Sequence, residues 1–190
     1  MSSIEEFCRS LSQHRGHADL QHRGCRCLSH YSASIVSPDQ RVADLLAVEI
    51  VQFILGALVS HKPNHHLVAD LLRLLSILGT HAQIRLQISR MKGVKRILSA
   101  MDRFPHNLHV QEAGCAVLST LAVSCDISME IQTAGGANRV LASMDNHKLC
   151  ANIQVCVRVS VCPCVCVSMI VCFCVCVCVC ARENRHCVHY

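Results

Sequence analysis

The sequence predicts an all-α solenoid of helical repeats, and three observations predict it. Apolar residues recur at helical spacing in segment after segment up to residue 154. The same pattern returns when the chain is shifted by about 43 residues, a period that belongs to stacked helical units. Aromatic residues make up 3% of the chain and Trp is absent, so the core must be aliphatic.

The clearest unit spans residues 93–135 and reads as three helices. Val94, Ile97, Leu98 and Met101 fall at i, i+3, i+4 and i+7, one face of a helix from Gly93 to about Arg103. Phe104, Pro105, His106 and Asn107 break it, since Pro cannot continue a helix interior. Asn107 is placed to cap a longer helix running to about Val123, with Val110, Gly114, Val117, Leu118 and Leu121 in line. Gly114 costs roughly 1 kcal/mol in a helix, which suggests a close helix crossing. Asp126 then caps a short helix with Ile127 and Ile131, and Gly135 and Gly136 stop it.

From the start of the chain, the same unit recurs. Ile4, Phe7, Cys8 and Leu11 predict a first helix. Leu20, Gly24, Cys27, Leu28 and Tyr31 predict a long one, and Gly24 and Cys25 reproduce Gly114 and Cys115. Residues 32–41 form a polar connection around Ser37, Pro38, Asp39 and Gln40, an insertion of the kind that maps to a solenoid loop. Val51, Ile54, Leu55 and Leu58 repeat the first face of the clear unit; Leu67, Leu71, Leu74, Leu75 and Leu78 repeat the second behind the cap Asn64. Ile84 and Ile88 match Ile127 and Ile131, and Ala137, Val140, Leu141 and Met144 begin a fourth unit.

These residues resemble armadillo-type repeats, in which a short helix, a Gly, a medium helix and a Pro/Asn turn lead into a long helix with an ending like Ala116-Val117-Leu118-Ser119-Thr120-Leu121-Ala122. The resemblance covers about residues 4–154 and implies a right-handed superhelix of three repeats and the start of a fourth, truncated at both ends. It also implies a groove lined by the long helices. The family's groove positions fall here on Arg26 and His30, Arg73 and Ile77, and Ala116 and Thr120. The Trp and Asn ladder of importin-type members, which clamps a basic peptide, is missing from them. The groove reads as basic in its first two repeats and small and neutral in the third, which suits an acidic or amphipathic segment of a partner protein.

Other chemistry is thin. Net charge is +5, of which the repeat body holds about +3, too mild for a nucleic-acid surface. No secretory signal opens the chain. Of thirteen His, His14, His61 and His147 share one repeat position, but neighbouring repeats stack about 8–10 Å apart, too far to share one zinc ion. His61, His65 and His66 lie in one turn without a Cys or carboxylate to complete a ligand set. Cys25 and Cys27 are too closely spaced for a zinc knuckle. No nucleophile–base pair, phosphate-binding Gly loop or paired carboxylates occur. The expectation is therefore a non-enzyme without cofactor or metal.

Nine of sixteen Cys lie in residues 155–180, where Val and Cys alternate, a tenth is Cys187, and the six in the body behave as small apolar residues of a reducing, cytoplasmic or nuclear protein. Residues 159–181 are an uncharged run of 23, long enough to span a membrane, though alternation and Pro163 make a poor helix. Cys-x-Cys runs also suit soft metals, and uncharged β-formers aggregate. A fourth reading accounts for more. A repeated TG dinucleotide would encode Cys-Val, the repeat homology holds through Gln154 and then stops, and a CAG|GT exon–intron junction fits at Gln154-Val155. The chain thus divides into a repeat domain, 1–154, and a tail, 155–190, read as translated non-coding sequence. The expected function is a protein-binding scaffold. The alternatives are the regulatory array of a kinase-like enzyme whose catalytic module lies elsewhere, and a membrane-anchored adaptor using the tail.

Overall fold

The computed structural model describes residues 3–33 and 49–153. They form nine α-helices and, among the described residues, no strand. The helices are α1 (Ser3–Gln13), α2 (Ala18–Ala33), α3 (Glu49–Ser60), α4 (His65–Leu78), α5 (Ala82–Arg90), α6 (Gly93–Arg103), α7 (Leu108–Leu121), α8 (Cys125–Thr133) and α9 (Gly136–Asn146). Helices α5, α6 and α7 have 9, 11 and 14 residues, and α8 and α9 again have 9 and 11. Residues 151–153 turn helical once more. The Val/Cys tail, including the candidate span at 159–181, lies outside the described residues, as does most of the polar connection.

Local chemistry sets these bounds. Asn64 and Asn107 sit in extended conformation ahead of α4 and α7, and their Oδ1 atoms accept from the Leu67 and Val110 amides at 3.1 Å. Each cap satisfies an N–H that the first turn leaves unpaired. The corner between α5 and α6 closes so tightly that a Cβ on Gly93 would lie 2.4 Å from Ile88 Cγ2; Gly136 meets Ile131 Cγ2 at the same distance between α8 and α9. No larger residue fits these corners without moving the backbone.

Two layers result. Helices α2, α4 and α7 pack side by side in one, and α1, α3, α6 and α9 follow one another in the second. Between them lies a continuous aliphatic core. Every residue the periodicity places on the inner faces of α3, α4, α6 and α7 is buried. Gly114 marks a close crossing as expected: its Cβ would lie 2.6 Å from Met101 Cγ, and that of Gly24 the same distance from Leu11 Cδ1.

The structure corrects several details. Helix α7 ends at Leu121 rather than Val123, and α8 is preceded by Ser124, with Asp126 inside its first turn. Helix α8 ends before the glycines; Gly135, at φ 77, instead opens α9. Helix α2 runs through Ala33, so residues 32 and 33 are helical. Phe7 and Leu20 are exposed at 37% and 41%, and Cys27 is exposed. Their equivalents in the following units, Ile54, Leu67 and Leu74, are fully buried, because α3 and α4 have described helices packed on both sides and α1 and α2 on one. Val140 and Leu141 are half-buried for the same reason at the other end.

Buried polar groups join the layers. Gln111 Nε2 donates to the carbonyls of Met101 at 2.8 Å and Phe104 at 2.9 Å. Gln21 Nε2 makes the matching bonds to Leu11 and His14. Each glutamine adds a side-chain donor to two carbonyls at the end of the preceding helix, where Met101, Phe104 and His14 also accept a backbone N–H from the turn. Arg139 pairs with Asp102 through Nε–Oδ1 at 2.7 Å and Nη2–Oδ2 at 2.8 Å, tying α9 to α6.

Candidate interaction surface on the long helices

The long-helix layer presents one face to solvent, and the six groove residues expected from the sequence all lie on its helices. Arg26 and His30 are exposed on α2, Arg73 is exposed on α4, and Ile77, Ala116 and Thr120 are half-buried on α4 and α7. Thr120 Oγ1 donates back to the Ala116 carbonyl at 2.9 Å and lies 3.5 Å from Ser76 Oγ. Its methyl group faces Gly79, so α4 and α7 approach closely at this end. Helical back-bonding of this kind leaves the hydroxyl few free sites and an apolar methyl toward the neighbouring helix.

Toward the N-terminal ends of the same helices, a shallow pocket of about 170 Å³ opens between α2, α4 and α7, lined by His22, His66, Ala69, Asp70, Arg73 and His109. Of the expected residues only Arg73 reaches it. Asp70 occupies its middle. His22 Nε2 on α2 lies 2.6 Å from Asp70 Oδ2, and Arg73 Nη1 donates to Asp70 Oδ1 at 3.1 Å. Arg73 Nη2 is 3.4 Å from His109 Nδ1 on α7. The chain of contacts His22–Asp70–Arg73–His109 therefore crosses all three long helices. One carboxylate shares the pocket with an arginine and three histidines.

The sequence reading stopped one turn short of this pocket. His22 lies four residues before Arg26; Asp70 and His66 lie three and seven before Arg73; His109 lies seven before Ala116. All are helical neighbours on the same face. Extending the groove positions by one and two turns toward the N-terminus would have found them.

Beneath this face, Cys25 is fully buried, and its thiol is pushed up from 9.0 to about 12 by burial first, then by the charges of Asp70 and Cys8. It stays protonated and acts as an apolar filler. Among the described residues, no group of three or more His, Cys, Asp or Glu is placed to hold a metal ion. No described helix is long and apolar enough to cross a membrane.

Stacked short, medium and long helices with an open long-helix face define an armadillo-type helical repeat protein. The chain matches the family model described as LRRK2 ARM repeat over residues 25–156, and it belongs to that family. The match begins inside α2 and ends two residues past Gln154. No curated protein and no solved structure matches the chain.

Proposed function

We propose that the chain is a non-catalytic scaffold that holds an acidic or mixed acidic–apolar segment of another protein along the concave face of a right-handed superhelix with a period of about 43 residues. Membership of an ARM repeat family supports a role in protein interaction. The observation that carries the finer reading is the charge of the long-helix face. Arg26, Arg73, His22, His66 and His109 are spread over α2, α4 and α7; all but Arg26 border the pocket, in which Asp70 is the one carboxylate. A partner carboxylate would compete with Asp70 for Arg73, whose fork suits paired charge-assisted hydrogen bonds. Farther along, Ile77 and Ala116 offer a half-buried apolar strip for the partner's neutral side chains. A reducing compartment, cytoplasmic or nuclear, fits the burial of Cys8, Cys25 and Cys115 in the aliphatic core, where each fills the place of a small apolar residue. Residues 155–190 contribute nothing to binding and are translated non-coding sequence.

A pull-down separates this reading from ordinary solvated charge. Arg26→Glu with Arg73→Glu is compared with Arg9→Glu and Arg90→Glu, two exposed cations on α1 and α5. Loss of partners in the first variant alone supports the groove. Equal loss in both, or loss in neither, removes it.

A further inference from the structure

On the opposite layer the structure holds a second, stronger concentration of charge. A cavity of about 290 Å³ lies between α3 and α6, walled by Val59, Lys62, Lys92, Lys95, Arg96 and Arg103 among others. This is about the lower bound of small-ligand sites, roughly 300 Å³. Five cations border it, and no carboxylate does. None of the five pairs with a carboxylate among the described residues.

Four of the five belong to one stripe of α6 and its start: Lys92, Lys95, Arg96 and Arg103 follow at helical intervals on the side away from Val94, Ile97, Leu98 and Met101. Lys92 takes a left-handed backbone, φ 57, to turn the chain into α6, and no side chain caps the first amides of that helix. Those amides add the positive end of the helix dipole to the same end of the stripe. Arg103 spends Nη2 on the Leu58 carbonyl at 3.1 Å and leaves Nε buried without a partner.

The fold does not require these charges. The matching stripe of α9 carries Gly135, Asn138, Arg139, Ala142 and Asn146, and its single cation is taken up by Asp102. The α3 stripe carries Glu49, Gln52, Phe53, Gly56 and Ser60 and no cation. Of α3, α6 and α9, α6 alone gathers several cations, and like charges repel one another and lower stability unless an anion sits among them. A single carboxylate would neutralise one of five. A compact group bearing several negative oxygens answers the whole set, and Lys and Arg are the side chains that bind phosphate oxygens.

We propose that the α3–α6 cavity binds a multiply charged phosphate group, carried either by a soluble polyphosphate or by a phosphorylated lipid headgroup. This site is independent of the long-helix face and would serve as a second input to the scaffold.

The test uses the full 190-residue chain. Inorganic tripolyphosphate is titrated calorimetrically into the wild-type chain, Lys95→Gln/Arg96→Gln, and Arg9→Gln/Arg90→Gln, which changes exposed cations outside both surfaces, each first shown to keep its helical spectrum and melting temperature. Vesicles of phosphatidylcholine with and without phosphatidylinositol bisphosphate are sedimented in parallel. The wild type should bind tripolyphosphate, more weakly as salt rises from about 50 to about 200 mM. The α6 pair should weaken binding by about tenfold or more, since each charge-assisted bond is worth roughly a factor of ten. The Arg9/Arg90 pair should leave it unchanged. Vesicle binding displaced by tripolyphosphate identifies the lipid headgroup as the source; tripolyphosphate binding without vesicle binding identifies a soluble ligand. No binding to either probe, equal loss in both pairs, or vesicle binding that tripolyphosphate does not displace overturns the site.

Discussion

Gln111 shows how a single side chain can hold two helices at a fixed angle. Its amide closes the Met101 and Phe104 carbonyls at the end of α6 while its stem is buried in α7. Gln111→Leu keeps the volume but removes the side-chain donor from both carbonyls, which keep the Phe104 and Asn107 amides at 3.1 Å, so it should cost about 0.5–1.5 kcal/mol in urea unfolding. A neutral result would show that water takes the amide's place. Cys25 offers a second residue-scale test, through pH. Its folded thiol titrates near 12 and the unfolded one near 9.0, so the folded state keeps a proton that the unfolded chain loses between those values. The stability it contributes is complete below pH 9 and drains away as pH rises toward 12. Cys25→Ala should flatten the alkaline fall of the melting temperature relative to the wild type; an unchanged slope would mean that Cys25 ionises freely in the fold. At this scale the sequence was least legible. Gln21 and Gln111 look like ordinary polar residues at their positions, because a backbone carbonyl as partner leaves no mark in the sequence. Leu20 reads as core because its equivalents Leu67 and Val110 are core, and periodicity carries no information about which end of a stack a helix occupies.

At the scale of the element, the helices follow from caps, glycines and apolar spacing, and this was nearly all readable. Asn64 and Asn107 cap as their positions predict, and the apolar faces of α3, α4, α6 and α7 are buried residue for residue. The misplaced end of α7 and start of α8 reflect the short Ala122-Val123-Ser124 turn, where Ser124 and Asp126 are both good caps by residue type and only the backbone decides. Leu75 and Leu118 are nearly fully buried in the layer where α4 meets α7. Leu75→Ala or Leu118→Ala should each cost about 2–5 kcal/mol. Near-zero cost at both would place the core on another face. Gly114→Leu should be destabilising by about 1–3 kcal/mol through overpacking against Met101, and Met101→Ala in the same chain should recover part of the loss.

For the whole molecule, the repeat pattern made the layered helical architecture legible, since each unit contacts only its neighbours. The surfaces were less legible. The groove positions transferred by resemblance landed on the long-helix face, yet the polar centre, His22, Asp70 and His109, was missed because its contacts, His22 to Asp70, Asp70 to Arg73 and Arg73 to His109, link three helices across sequence distance. The α3–α6 cavity was invisible, because Lys62 and Lys95 become neighbours only when two units stack. Deleting residues 155–190 should leave the thermal transition of the repeat domain in place and raise solubility; a large fall in melting temperature would show that the tail packs on the helices. The central claim, that an acidic segment lies on the long helices, is tested most directly by nuclear magnetic resonance titration of the isotope-labelled chain with a peptide of alternating Glu and Leu. The account predicts saturable shifts at the His22, His66 and His109 rings and at Arg26, Arg73 and Thr120, lost in Arg26→Glu/Arg73→Glu. Shifts confined to Lys62, Lys95 and Arg96, or no saturable shift on α2, α4 and α7, would contradict it.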